Sequence, residues 1–130
     1  MSVEPGPEQY AEVEALAGGE GDGPIVMLNL NRYRDRKAYL RYGVVAAAVL
    51  ERVGGRILWH SDAKLTVIGE QRYDEVIAVW YPSLAAFKEL ATDPELLAAR
   101  EHRLEGLEGA ELICCVADDQ AGALSSELQR

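Results

Sequence analysis

Short apolar runs predict four β-strands, and the first of them is apolar on both of its faces. Successive side chains of a strand point to opposite sides. In the first strand, residues 24–31, one side would carry Ile25, Met27 and Asn29, and the other Val26, Leu28 and Leu30. The other strands are expected at residues 56–69, 75–81 and 110–117. The 56–69 strand is either kinked around Asp62 and Ala63 or divided into two short strands.

Apolar residues spaced three or four apart predict helices between these strands. They are expected at residues 7–17, 35–53, 84–91 and 94–103. Asp35, Ser83 and Asp93 stand where N-caps are needed, because their side-chain oxygens can accept the free N–H groups of a first helical turn. A glycine-rich tether is predicted at 18–24 and a turn at 106–109.

The order strand, helix, strand, strand, helix, strand is the split βαβ arrangement of ferredoxin-like folds. We therefore expect an α+β fold, βαββαβ, with a four-stranded antiparallel sheet and an extra N-terminal helix. The predicted divisions are the N-terminal helix and tether at 1–24, the ferredoxin-like domain at 25–117 and a C-terminal tail at 118–130. Right-handed crossovers place both main helices on one face of the sheet.

The second face of the predicted sheet has nothing to cover it. The first, third and fourth strands lack the polar alternation of a solvated face, and the resulting apolar patch exceeds the few hundred Å² that monomers usually expose. A second copy packed face to face about a two-fold axis gives a dimeric α+β barrel, so we expect a homodimer. Alternatively the tail, or Tyr10, Val13 and Leu16 of the N-terminal helix, covers this face.

Composition and charge exclude several classes of partner. The 130 residues are 48% hydrophobic with a net charge of −9, which repels nucleic acid and anionic lipid. No apolar run approaches the roughly 20 residues of a membrane span, and residues 1–24 do not resemble a secretory signal, so we expect a cytoplasmic protein. Cys114 and Cys115 are adjacent on a predicted strand and should face opposite ways, as two free, buried thiols.

Six short segments carry a family resemblance. They are Met27-Leu28-Asn29-Leu30 within residues 24–31, Tyr39-Leu40-Arg41-Tyr42-Gly43, Gly54-Gly55-Arg56, Tyr81-Pro82-Ser83, Asp93-Pro94-Glu95 and His102-Arg103. Their order and spacing over about residues 7–117 resemble the domain-of-unknown-function 1330 family of the dimeric α+β barrel superfamily. The resemblance implies the fold and dimerisation. The wider superfamily includes cofactor-free monooxygenases, lactone isomerases, heme-dependent peroxidases and stress-response proteins, and the fold does not choose among them.

Several polar residues lie among apolar ones where a cavity between sheet and helices is expected. A buried Asn29 must be hydrogen-bonded, and it would either orient a ligand carbonyl or hold a neighbouring helix. Tyr39, Tyr42 and Tyr81 offer hydroxyl groups for a substrate, although helical spacing also suits Tyr39 and Tyr42 to core packing. A basic segment, residues 32–41, would either receive a carboxylate substrate at the cavity mouth or form a solvated helix start.

Histidine has an ordinary pKa near neutral pH, so His60 and His102 are the candidate bases. The alternative for His102, beside Arg103 at a helix end, is helix capping or an ion pair. The two histidines lack cysteine or carboxylate partners at metal-ligand spacing, so we expect no metal and no other cofactor. Ser83 has no histidine–acid arrangement near it and is interpreted as a cap.

Two functions follow from these observations. The first is a cofactor-independent enzyme, monooxygenase- or isomerase-like, that acts on a small aromatic or carbonyl metabolite. His102 or His60 would be its base, and Asn29, Tyr42 and Arg103 would position the substrate. The alternative is a non-catalytic dimeric module that binds a small apolar or aromatic ligand or has a structural role.

Overall fold

A computed structural model describes residues 2–117 and has the predicted ferredoxin-like topology. Its elements in chain order are α1 (Pro7–Leu16), β1 (Ile25–Tyr33), α2 (Arg36–Arg52), β2 (Arg56–Asp62), β3 (Glu75–Tyr81), α3 (Leu84–Ala91), α4 (Pro94–Ala98), α5 (Arg100–Gly106) and β4 (Leu107–Val116). The strands form one antiparallel sheet in the order β2-β3-β1-β4. The predicted C-terminal tail, 118–130, lies outside the described residues.

The three predicted helix caps are confirmed. The Asp35 carboxylate accepts hydrogen bonds from the backbone of Lys37 at 3.1 Å and of Ala38 at 3.3 Å, at the start of α2. The Ser83 hydroxyl oxygen accepts from the Ala86 N–H at 3.0 Å at the start of α3. Asp93 caps α4 in the same way. These local bonds explain why the three helix starts are readable from the sequence.

The core lies between one face of the sheet and the helices. Its buried members are Ile25, Met27, Val49, Leu50, Val79, Tyr81, Leu84, Ala86, Leu90 and Leu96. Helix α1 has no buried residue and packs only Val13 and Ala17 against this core. The tether after α1 is held by the Asp22 carboxylate, which accepts from the N–H groups of Leu84 at 2.6 Å and Ala85 at 3.1 Å. The tether therefore adds a second cap to α3.

The prediction of a strand at residues 64–69 is wrong. A backbone hydrogen bond from the Ala63 N–H to the Asp74 carbonyl, 2.9 Å long, closes the base of a loop that leaves the sheet after β2. The apolar residues that suggested a strand are exposed in this loop: Leu65 by 66%, Val67 by 83% and Ile68 by 93%. The irregularity of β2 also lies between Ile57 and Trp59, earlier than the predicted kink.

Two predicted boundaries after α3 are also wrong. The helix expected at 94–103 is divided at Ala99 into α4 and α5. The turn expected at 106–109 is absent from the described structure, because α5 continues to Gly106 and β4 begins at Leu107. Gly106 instead makes a close contact with the start of α2, where its carbonyl accepts from the N–H groups of Arg34 at 2.7 Å and Asp35 at 3.1 Å.

Within residues 2–117 no element covers the second face of the sheet. Register pairing places Leu28 beside Ala78 and Ile113, so these three residues share that face. Ile113 is 49% exposed and Trp59, paired with Ala78, is 48% exposed. The cysteines are free, as expected, but both are exposed in this chain, so the prediction of buried thiols is wrong here. No helix in the described part of the chain is long and apolar enough to cross a membrane.

Candidate active site

A cavity of about 650 Å³ lies between the sheet and the helices. Its volume is within the range of about 300–1,000 Å³ that is usual for small-molecule sites. The walls are largely apolar, with Met27, Ile77, Val79, Leu90 and Leu112 among them. The polar residues in the lining include Asn29, Asn31, Tyr39, Tyr42, His60, Glu75, Tyr81, Arg100 and Arg103, and on the side of the N-terminal segment Glu4, Tyr10, Glu14, Lys88 and Thr92. The cavity can therefore enclose a largely apolar molecule and form hydrogen bonds with the few polar groups that the molecule carries.

The carboxylate of Glu75 is the centre of the polar cluster, and its side chain is only 4% exposed. One oxygen accepts a hydrogen bond from the Asn31 amide at 2.8 Å. The other accepts from the Tyr33 hydroxyl at 2.5 Å and lies 2.9 Å from Nε2 of His60. The Asn31 amide also donates to the Tyr39 hydroxyl oxygen at 3.0 Å. Three side chains therefore satisfy this buried acid, and a fourth joins through Asn31.

Strand register brings this cluster together. Asn31 of β1 lies directly opposite Glu75 of β3, and directly opposite residues project from the same face of a sheet. His60 of the edge strand β2 is paired with Ile77, which lies two residues after Glu75 and projects from the same face of β3. Tyr39 enters from the first turn of α2, where the cap Asp35 and the contact with Gly106 fix the helix start.

Tyr39 and Tyr42 of the cavity wall form a row of rings with Tyr33, which is outside the lining but is hydrogen-bonded to Glu75. The ring centroids of Tyr33 and Tyr39 are 5.5 Å apart, and those of Tyr39 and Tyr42 are 6.0 Å apart. Burial raises the pKa of Tyr39, Tyr42 and Tyr81, and burial together with the Glu75 carboxylate raises the pKa of Tyr33. At neutral pH these hydroxyls are therefore hydrogen-bond donors and not bases.

Asn29 lies on the cavity wall with only long hydrogen bonds. Its amide donates to the carbonyls of Met27 at 3.3 Å and of Ile77 at 3.4 Å, both within the sheet. The predicted alternative, in which Asn29 holds a neighbouring helix, is therefore wrong. Tyr81 is buried and packs edge-on against Phe87, with the ring centroids 5.4 Å apart. It contributes to the core as well as to the wall.

Two arginines of α5 stand at the cavity where the N-terminal segment crosses it. Arg100 donates from Nε and Nη2 to the two carboxylate oxygens of Glu4, at 2.5 and 2.7 Å. Arg103 donates to the backbone carbonyl of Val3. Its guanidinium carbon lies 6.0 Å from the centroid of the Tyr42 ring.

The structure brings together six of the seven predicted site residues. Asn29, Tyr39, Tyr42, His60, Tyr81 and Arg103 all line the cavity, whereas His102 of α5 does not. The basic segment at 32–41 does not supply its charge to this cavity either, since none of its described arginine or lysine side chains is part of the lining. Arg32 instead lies 3.4 Å from the carboxylate of Glu108.

Sequence reasoning missed Asn31, Tyr33, Glu75 and Arg100. Asn29, Asn31 and Tyr33 are spaced two residues apart on β1, so the sequence alone indicates that one face of this strand becomes polar towards its end. Glu75 begins an otherwise apolar strand and looks solvated until the β1–β3 register is known. Among the described side chains, no group of three or more histidine, cysteine, aspartate or glutamate residues is arranged to hold a metal ion.

Comparisons with known proteins agree with the fold. The model of a domain of unknown function, DUF1330, matches residues 25–116. A protein of unknown function from Rhodopseudomonas palustris is 34% identical in its crystal structure, with a TM-score of 0.81 over 90% of this chain and 97% of that one. No curated protein matches.

Two more distant structures share the fold alone. A dabb family protein with a ferredoxin-like fold from Mesorhizobium loti is 16% identical, with a TM-score of 0.53 over 74% of this chain and 98% of that one. SnoaB, a cofactor-independent oxygenase from Streptomyces nogalater, is 12% identical, with a TM-score of 0.54 over 76% of this chain and 97% of that one.

Proposed function

This chain belongs to the DUF1330 family, a family of unknown function, and we propose that it is a cofactor-independent enzyme that moves a proton on a small aromatic or carbonyl metabolite. The observation that carries the proposal is the pairing of His60 with the buried carboxylate of Glu75 at the wall of a largely apolar cavity. A histidine held by a carboxylate beside a cavity is an arrangement that suits general acid–base catalysis.

His60 is the base in this proposal. A carboxylate accepts hydrogen bonds, so the contact with Glu75 places the imidazole proton on Nε2 and leaves the lone pair of Nδ1 free. Glu75 is a positioning residue, since it holds the ring and the tautomer and is itself held by Asn31 and Tyr33. His102 has no part in the proposed chemistry, because it lies outside the cavity lining.

Proton transfer on a carbonyl compound uses the groups of this cavity in turn. Nδ1 of His60 takes a proton from the carbon beside the carbonyl, and the electrons of the broken C–H bond form an enolate. The hydroxyls of Tyr39 and Tyr42, which burial keeps protonated by raising their pKa, donate to the developing oxyanion. Asn29 and Arg103 position the rest of the molecule.

Two outcomes start from this enolate. Return of the proton to a different carbon completes an isomerisation. Addition of dioxygen, followed by protonation, gives a hydroperoxide and begins an oxygenation. The second outcome is supported by the shared fold of SnoaB, described as a cofactor-independent oxygenase. Both need the same first proton transfer, so that step is the one to test.

The test is deuterium exchange followed by proton NMR, with a panel of small aromatic ketones incubated in D₂O with metal-stripped protein. We expect exchange at the carbon beside the carbonyl, and a loss of about 10²–10⁴-fold in His60→Ala. Glu75→Gln should lower the turnover rate more than it weakens substrate binding, because it disturbs the orientation of His60. His102→Ala is the matched histidine variant and should keep the exchange rate. Exchange that survives His60→Ala unchanged would refute the assignment.

A second candidate, a non-catalytic binding module, is favoured by the apolar walls and by the long hydrogen bonds of Asn29. It predicts that aromatic ligands raise the melting temperature. The binding module also predicts that no bound ligand undergoes deuterium exchange, whereas the enzyme predicts that at least one does.

We also propose that the protein is a homodimer through the second face of the sheet. That face is apolar at its centre, around Leu28, Ala78 and Ile113, and the described chain leaves it open. A second copy is the simplest occupant, because the same patch on both partners is self-complementary across a two-fold axis. Light scattering should report twice the 14.2 kDa of one chain. A 14.2 kDa species at micromolar concentration would contradict the proposal.

A further inference from the structure

Arg100 and Arg103 are three residues apart on α5, so their side chains lie on the same face of that helix. Both line the cavity described above. Their charges are occupied by the chain's own N-terminal segment, through the two oxygens of Glu4 and the carbonyl of Val3. A guanidinium that holds both oxygens of one carboxylate has the geometry by which arginine recognises carboxylates in general.

Residues 2–6, the part of the N-terminal segment that meets the arginines, are attached lightly. Beyond the arginine contacts they are held to the rest of the chain by the hydrogen bond from the Ala110 N–H to the Ser2 carbonyl, 2.9 Å long. The chain after them is anchored separately, by the packing of Val13 and Ala17 on the core, by the ion pair of Glu14 with Lys88 at 2.6 Å and by the bonds of Asp22 to the start of α3. The Arg100–Glu4 pair is itself partly exposed, with 53% and 33% of the two side chains accessible. Exposed ion pairs usually contribute little to stability, and a bidentate arginine–carboxylate pair contributes more. A ligand carboxylate that makes the same two hydrogen bonds to Arg100 can replace Glu4 without loss of those bonds.

The two arginines give this cavity wall a charge that suits an anion. The carboxylate that now lies there, Glu4, belongs to a segment, residues 1–24, with six acidic residues and no lysine or arginine. Next to this anion site, the Tyr42 ring and the apolar walls can pack an aromatic or aliphatic body.

From this arrangement we propose that Arg100 and Arg103 form a carboxylate-binding subsite of the cavity, which Glu4 fills until a small aromatic carboxylate replaces it. The inference rests on the proposed function only in using the same cavity, and it adds the substrate class: a compound whose carboxylate binds α5 while its body lies between the tyrosines and the apolar walls. Glu4 then acts as an internal competitor.

The experiment measures binding of phenylacetate, and of the uncharged phenylacetamide as comparator, by calorimetry and by amide NMR. Wild-type protein should bind the acid in preference to the amide, and the Gly6 amide signal should shift as the segment is released. Glu4→Gln removes the competitor and should tighten acid binding by about tenfold. Arg100→Gln should weaken it by a similar factor, since a hydrogen bond to a charged group is worth about that much.

Arg52→Gln is the matched control. Arg52 is also an exposed arginine paired with carboxylates, those of Asp93 and Glu95, but it does not line the cavity. Its substitution should leave phenylacetate binding unchanged. Circular dichroism checks the fold of each variant, and because Glu4→Gln tests the subsite from the other side, the inference stays testable if Arg100→Gln misfolds.

Equal binding of acid and amide would overturn the inference, and so would acid binding that Glu4→Gln leaves unchanged. Failure of both the wild type and Glu4→Gln to bind phenylacetate at millimolar concentration would also overturn it. The proposed function fails independently. If the protein binds carboxylates but catalyses no deuterium exchange, the proposed enzyme activity is wrong and the carboxylate subsite stands. If it catalyses exchange on neutral ketones but shows no preference for carboxylates, the subsite is wrong and the enzyme activity stands.

Discussion

Replacing Gly106 with alanine should destabilise the protein through a contact between α5 and α2. The added Cβ would lie 2.5 Å from the Tyr39 nitrogen, 2.6 Å from the Tyr39 Cβ and 2.7 Å from its Cα. Ordinary contacts begin at 3.4 Å, so the closest pair must separate by the difference, 0.9 Å. Two of these three atoms belong to the backbone, and a side-chain rotation cannot relieve the clash.

The cost follows from what must move. Overpacking of a close contact costs about 1–3 kcal/mol. The separation also stretches the hydrogen bonds from the N–H groups of Arg34 and Asp35 to the Gly106 carbonyl, each worth about 0.5–1.5 kcal/mol. The higher helix propensity of alanine returns about 1 kcal/mol. We expect a net loss of about 3 kcal/mol in the free energy of unfolding, with a displacement of Tyr39 from Asn31.

Urea unfolding followed by circular dichroism measures this loss, with all proteins at one concentration because a dimer's stability depends on it. Gly43→Ala is the control: it is the same chemical change within α2, and among the described residues no neighbouring atom lies within 4 Å of the added Cβ. It should stabilise the protein by up to about 1 kcal/mol. If Gly106→Ala unfolds at the wild-type urea concentration or above it, the contact between α5 and α2 is not as tight as argued.

Two further predictions concern charge and assembly. Hydrogen bonds from the backbone of Gly18 and Leu84 lower the pKa of Asp22, so the stability that Asp22 provides is present above the ordinary aspartate pKa of about 3.9 and is lost as the pH falls through the lowered value. Asp22→Asn should therefore be less stable than wild type at pH 7, with a difference that shrinks under acid, and a difference that stays constant down to pH 2 would contradict this. Leu28→Glu on the open sheet face, where Leu28 is half-buried, should give a single-chain mass in light scattering, whereas the same change at Leu16, an exposed leucine of α1, should keep the dimer mass.

Local signals predicted most of the fold. The caps Asp35, Ser83 and Asp93 act within a few residues of themselves, so their roles can be inferred without knowing any tertiary contact. The apolar runs of β1 and β3 are local signals in the same sense. The false strand at 64–69 shows the limit of this approach, because an apolar run describes a segment but does not supply the partner strand that it must pair with.

The candidate site depended on long-range contacts. Nothing near Glu75 in sequence distinguishes it from a solvated glutamate, and its role appears only when the β1–β3 register sets Asn31 opposite it. Gly106 was interpreted as a turn residue because glycine is common in turns, whereas its position here is set by the backbone of Tyr39, 67 residues earlier. The choice between His60 and His102 likewise required the cavity itself.

The neighbouring cysteines on β4 provide two reporter groups on opposite sides of one sheet. Cys114 is paired with Met27 of the helix-facing side, and Cys115 is paired with Val26 of the open side. Although Cys114 is exposed, partial desolvation by its neighbours raises the pKa of its thiol, which slows its alkylation at neutral pH. The native chain can thus be footprinted without engineered labels: Cys115 senses whatever docks on the outer surface of the sheet, and Cys114 responds to changes on the inner one.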